Sequence, residues 1–303
     1  MPGAAEEVSM LKRKRVLVLL IPALVLYLGL FIYPAVQALW VSLHDWSGFT
    51  SEMKYVGLAN FAELARDSTY WESFLITLKV IFIGGGGIFL LAFIFTFFLT
   101  SGIRLRKVFR AIIFYPNVVA PIALATFWGF LYNPRFGLIN GLLRSLGLES
   151  WTRTWTGPDL VFGAVLVALV WTYVGFYMVI LISGVEKIPP DYFDAARIAG
   201  AGKVQIFFQI TIPLIWDVLV IAVVLWIIIA IKMFDFLFAF SGGMTVPQSL
   251  WTNAVYMFLL TFGQRVAIYR MGYGTAVAVT MLILVVVFAG IARLAMRREK
   301  IEY

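Results

Sequence analysis

The chain has 303 residues, of which 62% are apolar and 13% are charged, and its mean hydropathy is +0.94. Soluble domains are about 45–50% apolar and about 25% charged, so this composition excludes an ordinary soluble domain and predicts an all-α polytopic membrane protein. The net charge of +8 comes from short basic clusters at the ends of apolar runs, which is typical of topology signals and lipid head-group contacts and argues against a nucleic-acid partner.

Six apolar segments are each long enough to cross the hydrocarbon core of a bilayer, which is about 30 Å thick and takes about 20 helical residues. Only helices are expected, because an open backbone would leave hydrogen-bonding groups unsatisfied in lipid. The first segment is expected to be retained, since it is longer than a signal-peptide core and no small-x-small cleavage site follows it. The chain 1–303 is therefore predicted to be one transmembrane domain with spans near 16–39, 74–99, 111–132, 160–183, 210–238 and 271–293.

Lysine and arginine indicate how these spans are oriented. With both termini placed inside, the cytoplasmic segments carry fifteen of the 24 basic residues and the external segments carry seven. The other two, Lys79 and Lys232, fall within spans. Because basic residues are enriched on the cytoplasmic side, the N- and C-termini are predicted to be cytoplasmic. This orientation also puts the connection between the fourth and fifth spans in the cytoplasm.

Residue types that carry enzymatic or nucleotide chemistry are scarce along the chain. The single histidine, His44, falls in the first external connection beside Asp45 and is predicted to be a surface residue. The glycine run 84–87 lacks the Gly-Lys-Ser/Thr ending of a phosphate loop, so close helix packing or a kink is the better interpretation. Neither a catalytic site nor a metal site is predicted, and the absence of cysteine excludes thiolate ligands.

A polar segment, 189–204, separates the fourth and fifth spans. Two prolines end the fourth span, and Asp191 is predicted to cap a helix that begins near Tyr192. Small residues in this helix leave a smooth face that another protein can approach closely, and Asp194 offers a carboxylate to a cation of that partner. The alternative is an ordinary amphipathic helix at the membrane interface. The small residues are Ala195, Ala196, Ala199 and Gly200.

The spacing in this segment resembles a family signature. Asp194-Ala195-Ala196, Gly200 after three more residues, and Ile210-Thr211-Ile212-Pro213 after nine more resemble the "EAA" coupling loop of membrane subunits of bacterial ATP-binding-cassette importers, with aspartate where glutamate is commoner. From about residue 15 to residue 295 the chain resembles the carbohydrate-uptake class, specifically the first of its two permease subunits, similar to those for maltose-like sugars and glycerol 3-phosphate. The supporting segments are 56–61, 109–116, 133–140 and 234–243, where Met244-Thr245 replaces the usual following Gly-Pro.

The resemblance implies a transport subunit of the bacterial cytoplasmic membrane rather than an enzyme. The implied partners are a second homologous permease, two ATPase subunits, an extracytoplasmic solute-binding protein and membrane lipid. No cofactor is implied in this chain, since ATP and Mg would be bound by the ATPase subunits. Coupling to the ATPase is implied for Tyr192, Asp194, Ala195, Ala196, Gly200 and Pro213. A substrate path is implied for Trp171, Gly175, Phe176, Leu225, Ile229, Lys232 and Asp235.

Some of the path residues have an alternative role. Lys232 is predicted to share one face of the fifth span with Leu225 and Ile229, roughly two helical turns from the external end of that span. A charge within a span usually faces the protein interior, a partner or water, so its ammonium could meet sugar hydroxyls or an anionic group. Lys232 and Asp235, three residues apart, could instead pair with each other. The aromatic residues of the fourth span could likewise stack on a sugar or simply pack.

Two other functions stay open on the sequence. A permease of the same machinery could carry a polyamine or an amino acid, because selectivity is shared with the partner permease and the binding protein. An ion-coupled secondary transporter acting alone belongs to a different class. It is disfavoured by the lack of a sequence-detectable repeat and by the scarcity of acidic residues within the spans.

Overall fold

The computed structural model describes residues 19–243, 245–263 and 268–297. The N-terminal basic cluster 12–15 and the start of the first predicted span, 16–18, lie outside the described residues. Met244, Arg265, Arg298 and Lys300 also lie outside them.

Helices make up almost all of the secondary structure in the described ranges. In chain order they are α1 (Leu19–Val41), α2 (Ala59–Arg66), α3 (Ser68–Thr100), α4 (Arg106–Val118), α5 (Pro121–Leu131), α6 (Leu138–Ser145), α7 (Val161–Val185), α8 (Pro190–Ile198), α9 (Lys203–Leu214), α10 (Trp216–Ile231), α11 (Asp235–Phe240), α12 (Asn253–Phe262) and α13 (Met271–Ala295). Single 3₁₀ turns occur at Glu149–Trp151 and Gln248–Leu250. Strands β1 (His44–Asp45) and β2 (Lys54–Tyr55) form a short antiparallel pair, with His44 opposite Tyr55.

Four of the described helices, α1, α3, α7 and α13, are long and apolar enough to cross a membrane. Two further pairs pass the same test only when each pair is taken together. The pair α4–α5 is bent by 97° and the pair α9–α10 by 72°. By length and composition the described residues therefore hold four to six candidate spans, and the third and fifth predicted spans are interrupted rather than continuous.

Prolines explain both interruptions. Ala120 precedes Pro121 and has an extended ψ of 133°, as expected for a residue whose helical conformation is disfavoured by the following proline ring. In α9, Pro213 has no N–H group to continue the helical hydrogen bonds. Two residues later Ile215 leaves the helical region with φ −94° and ψ 13°, and α10 begins in the new direction.

The chain divides into two compact units, of which the first comprises 1–66 and 269–279. In the described residues of this first unit, Asn60 holds the turn after α1, because its Nδ2 donates to the carbonyl oxygens of Ser42 and His44 at 2.8 and 3.0 Å. His44 is only 5% exposed and its ring lies against Trp40 and Tyr55. The expectation that His44 is a surface residue is therefore wrong, since the aromatic neighbours and the β1–β2 pair enclose it.

The second unit comprises 67–268 and 280–303, and α7 supplies much of its core together with α3 and α10. α3 contains a π-turn at Val80–Gly84, where each helical turn takes an extra residue. Trp226 of α10 is 2% exposed and its Nε1 donates to the carbonyl oxygen of Ile81 at 2.9 Å. A Cβ at Gly85 would lie 2.7 Å from Cδ1 of Trp226, so the indole occupies the space that a side chain would need. The predicted packing role of the glycine run is confirmed at this position.

Candidate functional site

α8 is the short helix between the long apolar helix α7 and the broken pair α9–α10, and it lies in the predicted coupling segment. Pro189 is the N-cap residue and Pro190 is the first helical residue, so the helix begins two residues earlier than predicted. Proline suits this position because the first helical N–H has no partner within the helix. No side chain caps this end, and Asp191 lies in the first turn, where its charge stabilises the helix dipole. The prediction that Asp191 caps the helix is thus corrected.

Gly200 ends α8 in a Schellman motif. The N–H of Ala201 donates to the carbonyl oxygen of Ala196, and the N–H of Gly200 donates to that of Arg197, both at 3.0 Å. Gly200 has φ +82°, a left-handed conformation that favours glycine. No atom lies within 4 Å of a Cβ built on it. Its local role is therefore to terminate the helix, and the space beside it is open.

α8 has one face turned outward and one turned toward the protein. The outward face consists of the exposed residues Asp191, Asp194, Ala195 and Ile198, which recur at the spacing of one helical side. Ile198 is 89% exposed, the highest value among the large apolar side chains of the described residues. On the other side Ala196 is buried. Of the predicted coupling residues, Tyr192, Asp194 and Ala195 are thus accessible and Ala196 is not.

Asp194 has a partner within α8 itself. Arg197 Nη1 lies 2.7 Å from Asp194 Oδ1, and both side chains are more than half exposed. An exposed ion pair of this kind contributes about 0–1 kcal/mol to stability, so it costs little to exchange it for a contact with another protein. The outward face therefore exposes an acid and an isoleucine, with a cation immediately beside them.

The segment after α8 is a helix with a π-turn. Phe207–Thr211 is the π-turn of α9, and Pro213 follows it two residues before the 72° bend at Ile215. Lys203 Nζ donates to the carbonyl oxygen of Ser101 at the end of α3 at 3.2 Å. On the other flank, Arg110 of α4 pairs with Glu186 at the end of α7 at 3.2 Å. Both flanks of α8 are thus connected to other helices of the second unit.

Predicted path residues on α7 fall in two different environments. Trp171 is 40% exposed and its ring meets that of Trp128 edge-on at 5.5 Å. Phe176 is half-buried against Tyr177. Gly175 is buried, and a Cβ there would lie 2.7 Å from the carbonyl carbon of Ile113, so α4 crosses α7 at this point with its backbone in contact. The structure brings Gly175 to a helix crossing, whereas Trp171 is accessible.

The predicted path residues near the end of α10 are accessible. Leu225 and Lys232 are exposed and Ile229 is half-buried, so the predicted shared face does point away from the core. α10 ends at Ile231, however, and Lys232 is its C-cap residue rather than a residue two turns below the end of a continuous span. Met233 lies in the break that follows, and its carbonyl oxygen accepts a hydrogen bond from Thr252 Oγ1 at 3.0 Å.

Asp235 begins α11 after this break and is also exposed. Among the residues that the structure describes, no ion pair joins Lys232 to Asp235. The break between the two helices separates the residues that sequence spacing would put one turn apart in a continuous helix. Lys232 therefore remains available for a ligand or another chain.

One feature of this region was not predicted as a site. Ile198 carries the exposed apolar surface of α8, and the only signal for it in the sequence is a lone isoleucine four residues after the acid of the motif. Gly175 was predicted as a path residue, but the sequence holds no signal for its contact with α4, because the backbone segment that it meets is about sixty residues away.

The chain was compared with known proteins. The family model described as "Binding-protein-dependent transport system inner membrane component" matches residues 87–301. The trehalose/maltose transport system permease protein MalF of Thermococcus litoralis is 32% identical over 274 residues, which cover 89% of this chain and 89% of that protein. The diacetylchitobiose uptake system permease protein NgcF of Streptomyces coelicolor is 30% identical over 297 residues, which cover 90% of this chain and 80% of that protein.

A solved structure shares the fold. It is the crystal structure of a bacterial ABC transporter involved in the import of the acidic polysaccharide alginate, and one of its chains matches with a TM-score of 0.82 at 17% identity. The match covers 98% of this chain and 100% of that chain.

Proposed function

Because the chain belongs to the family of inner membrane components of binding-protein-dependent transport systems, we propose that it is the membrane-spanning subunit of an ATP-driven importer for a sugar or sugar derivative. Relatives named for trehalose/maltose and diacetylchitobiose transport support the sugar class. The proposed assembly lies in the bacterial cytoplasmic membrane and contains a second homologous permease, two ATPase subunits and an extracytoplasmic solute-binding protein. In it this chain crosses the membrane six times, with α4–α5 and α9–α10 as broken spans and both termini in the cytoplasm.

The observation that carries the proposal is the outward face of α8. A face that exposes Asp194 beside Ala195 and Ile198 is too polar to lie in the hydrocarbon of the bilayer, and we take it as a surface for another subunit. We assign it as the coupling helix, which inserts into a groove of the ATPase subunit. The acid and its neighbour Arg197 then supply the polar contacts, and Ile198 supplies the buried apolar contact.

α8 is proposed to act as a lever between the ATPase and the spans. The Schellman motif at Gly200 fixes the end of α8, and Lys203 ties the following helix to the end of α3. Movement of the docked helix is therefore transmitted to α7 before it and to α9–α10 after it. ATP and Mg stay on the ATPase subunits, and this chain converts their closure into a switch between inward- and outward-facing states.

The substrate path is proposed to follow the accessible faces of α7 and α10. Trp171 offers an aromatic ring, and Lys232 offers three hydrogen-bond donors at a helix break. Broken helices near a membrane centre commonly line transport sites, because their exposed backbone groups are tolerated only beside a cavity or protein. Leu225 and Ile229 form the apolar wall beside that cation.

The coupling assignment is tested by placing a charge on the outward face of α8. Ile198→Glu is made in the intact importer, which is purified through this chain, and retained ATPase is measured together with uptake. The matched control is Leu146→Glu, the same kind of change at a 63% exposed residue that follows α6 and lies outside the segment 189–204. We expect Ile198→Glu to release the ATPase and abolish uptake, because a carboxylate cannot be buried in an apolar contact without a partner.

The control variant is expected to keep both the ATPase and transport. Retention of the ATPase and wild-type uptake by Ile198→Glu would contradict the docking assignment, as would a loss that occurs only with Leu146→Glu. Uptake of a radiolabelled polyamine or amino acid but of no sugar by the wild-type importer would replace the proposed substrate class.

A further inference from the structure

A cavity of about 440 Å³ lies in the second unit between the C-terminal ends of α5 and α11. Thr126, Gly129, Phe130 and Asn133 line one wall, and their spacing of three, four and seven residues puts them on one side of α5 and of the turn that follows it. Pockets that hold small molecules are typically about 300–1,000 Å³. None of the predicted path residues lines this cavity, although Val161 of α7 and the end of α11 do.

None of the residues that the structure describes around this cavity carries a charge. Thr126 Oγ1 donates to the carbonyl oxygen of Ile122 at 2.9 Å, and Ser241 Oγ donates to that of Leu237 at 3.0 Å. Each hydroxyl oxygen therefore keeps lone pairs for an incoming donor. Asn133 Oδ1 accepts from the N–H of Arg135 at 2.9 Å, which fixes the amide in one orientation. The polar groups are thus fixed, neutral and suited to hydroxyl partners.

Two phenylalanines supply apolar surface in the same cavity. Phe240 is 7% exposed and is held by the ring of Tyr132 at 6.1 Å and by that of Phe236 at 6.4 Å. Phe130 is 59% exposed, so its ring is accessible. A pyranose presents C–H groups to an aromatic ring and hydroxyls around its edge, and a neutral amide, hydroxyls and aromatic rings are the complementary set.

We propose that this cavity is an outer subsite that binds one uncharged sugar ring. The inference rests on the proposed function for the sugar class and on the proposed orientation, in which α5 ends on the external side. A sugar released there by a binding protein meets neutral groups before it reaches Lys232. The outer subsite therefore selects for uncharged sugar rings, whereas the positively charged Lys232 lies further along the path.

The first test replaces a glycine in the cavity wall by a larger residue that occupies the cavity. A Cβ at Gly129 would have a single neighbour within 4 Å, the carbonyl oxygen of Phe240 at 3.7 Å, so Gly129→Ala is tolerated and Gly129→Leu projects further into the cavity. Gly163→Leu is the matched control, because nothing lies within 4 Å of a Cβ at Gly163. Uptake by the intact importer is measured against sugar concentration, and variant yield reports on folding. Gly129→Leu should raise the KM for uptake about tenfold, the order of effect of changing a pocket by a few methylenes.

The second test is direct and uses the absence of cysteine from the chain. Ser241→Cys introduces a single thiol at the cavity, and Ser145→Cys on α6 gives a control thiol outside it. Labelling of the purified full chain by a maleimide is followed with maltose, diacetylchitobiose or glucose 6-phosphate present. Maltose or diacetylchitobiose should slow labelling of the cavity thiol at least threefold more than that of the control thiol, an effect on the order of 0.6 kcal/mol.

The outcomes separate the two proposals. If the wild-type importer takes up sugar, an unchanged KM in Gly129→Leu together with no protection of the thiol in Ser241→Cys overturns the subsite and leaves the proposed function intact. Equal protection by glucose 6-phosphate overturns the preference for an uncharged ring. If the wild-type importer takes up no sugar, the proposed function fails, and the thiol assay on the purified chain then decides by itself whether the cavity binds sugars.

Discussion

Replacing Gly175 by alanine should destabilise the helix crossing between α4 and α7. A Cβ at this position would lie 2.7 Å from both the carbonyl carbon of Ile113 and Cα of Phe114, whereas carbon atoms in contact are about 3.5–4.0 Å apart. α4 would have to move by about 1 Å, and the obstacle is backbone rather than a side chain that can turn away. Overpacking costs about 1–3 kcal/mol or more, while the better helix propensity of alanine returns about 1 kcal/mol. The net loss should therefore be up to about 2 kcal/mol, toward the upper end because the obstacle is backbone.

The measurement is unfolding of the purified chain in detergent by heat, with Gly163→Ala as the matched control. Gly163 lies in the same helix and has open space at its Cβ, so alanine there should leave the midpoint unchanged or raise it. Equal midpoints for the two variants would refute the packing argument. If Gly175 instead lines the substrate path, alanine should leave unfolding unchanged and reduce uptake.

Three further predictions follow from contacts described above. Gly85→Ala should displace the ring of Trp226 and shift the tryptophan fluorescence of the purified chain, whereas Gly86→Ala, with nothing within 4 Å of its Cβ, should not; equal spectra would contradict this. Lys232→Met should weaken sugar uptake about tenfold to a hundredfold and leave assembly intact, because that factor corresponds to the loss of one hydrogen bond to a charged group. Full uptake by the double variant Lys232→Met, Asp235→Asn would show that the lysine is not a substrate ligand. Gly200→Asn should keep uptake because asparagine tolerates the left-handed conformation, whereas Gly200→Trp should abolish uptake because of its bulk. Equal loss of uptake in both variants would mean that backbone strain, not bulk, causes the loss.

The sequence predicts the helical class and the α8 segment well, because both depend on local patterns. Long apolar runs define α3, α7 and α13, and the prolines before α8 and the glycine after it mark its ends. The bend between α9 and α10 was missed although Pro213 was noted, because a proline lowers helix stability without specifying whether the chain bends or continues. Hydropathy alone cannot separate a straight span from a broken one.

The geometry of the candidate site depends on contacts between residues that are far apart in the sequence, so the sequence alone predicts that geometry poorly. The backbone beside His44 is held by Asn60, and the backbone that follows Lys232 is held by Thr252, whose hydroxyl donates to the carbonyl oxygen of Met233. Neither partner has a fixed spacing from the residue that it controls. By contrast, the outward position of Asp194 follows from helical periodicity and was predictable.

The π-turn Val80–Gly84 acts as a one-residue insertion within a continuous helix. Because of the extra residue, side chains after the π-turn point about 100° away from the direction that 3.6 residues per turn would give them relative to those before it. Deleting one residue there would restore a regular helix, yet it would also rotate Gly85 away from Trp226 by the same angle. A single-residue gap at 80–84 in an alignment of this chain with a relative therefore has a physical meaning. It should be accompanied by a smaller residue in place of the tryptophan, or by a glycine moved one position along the helix.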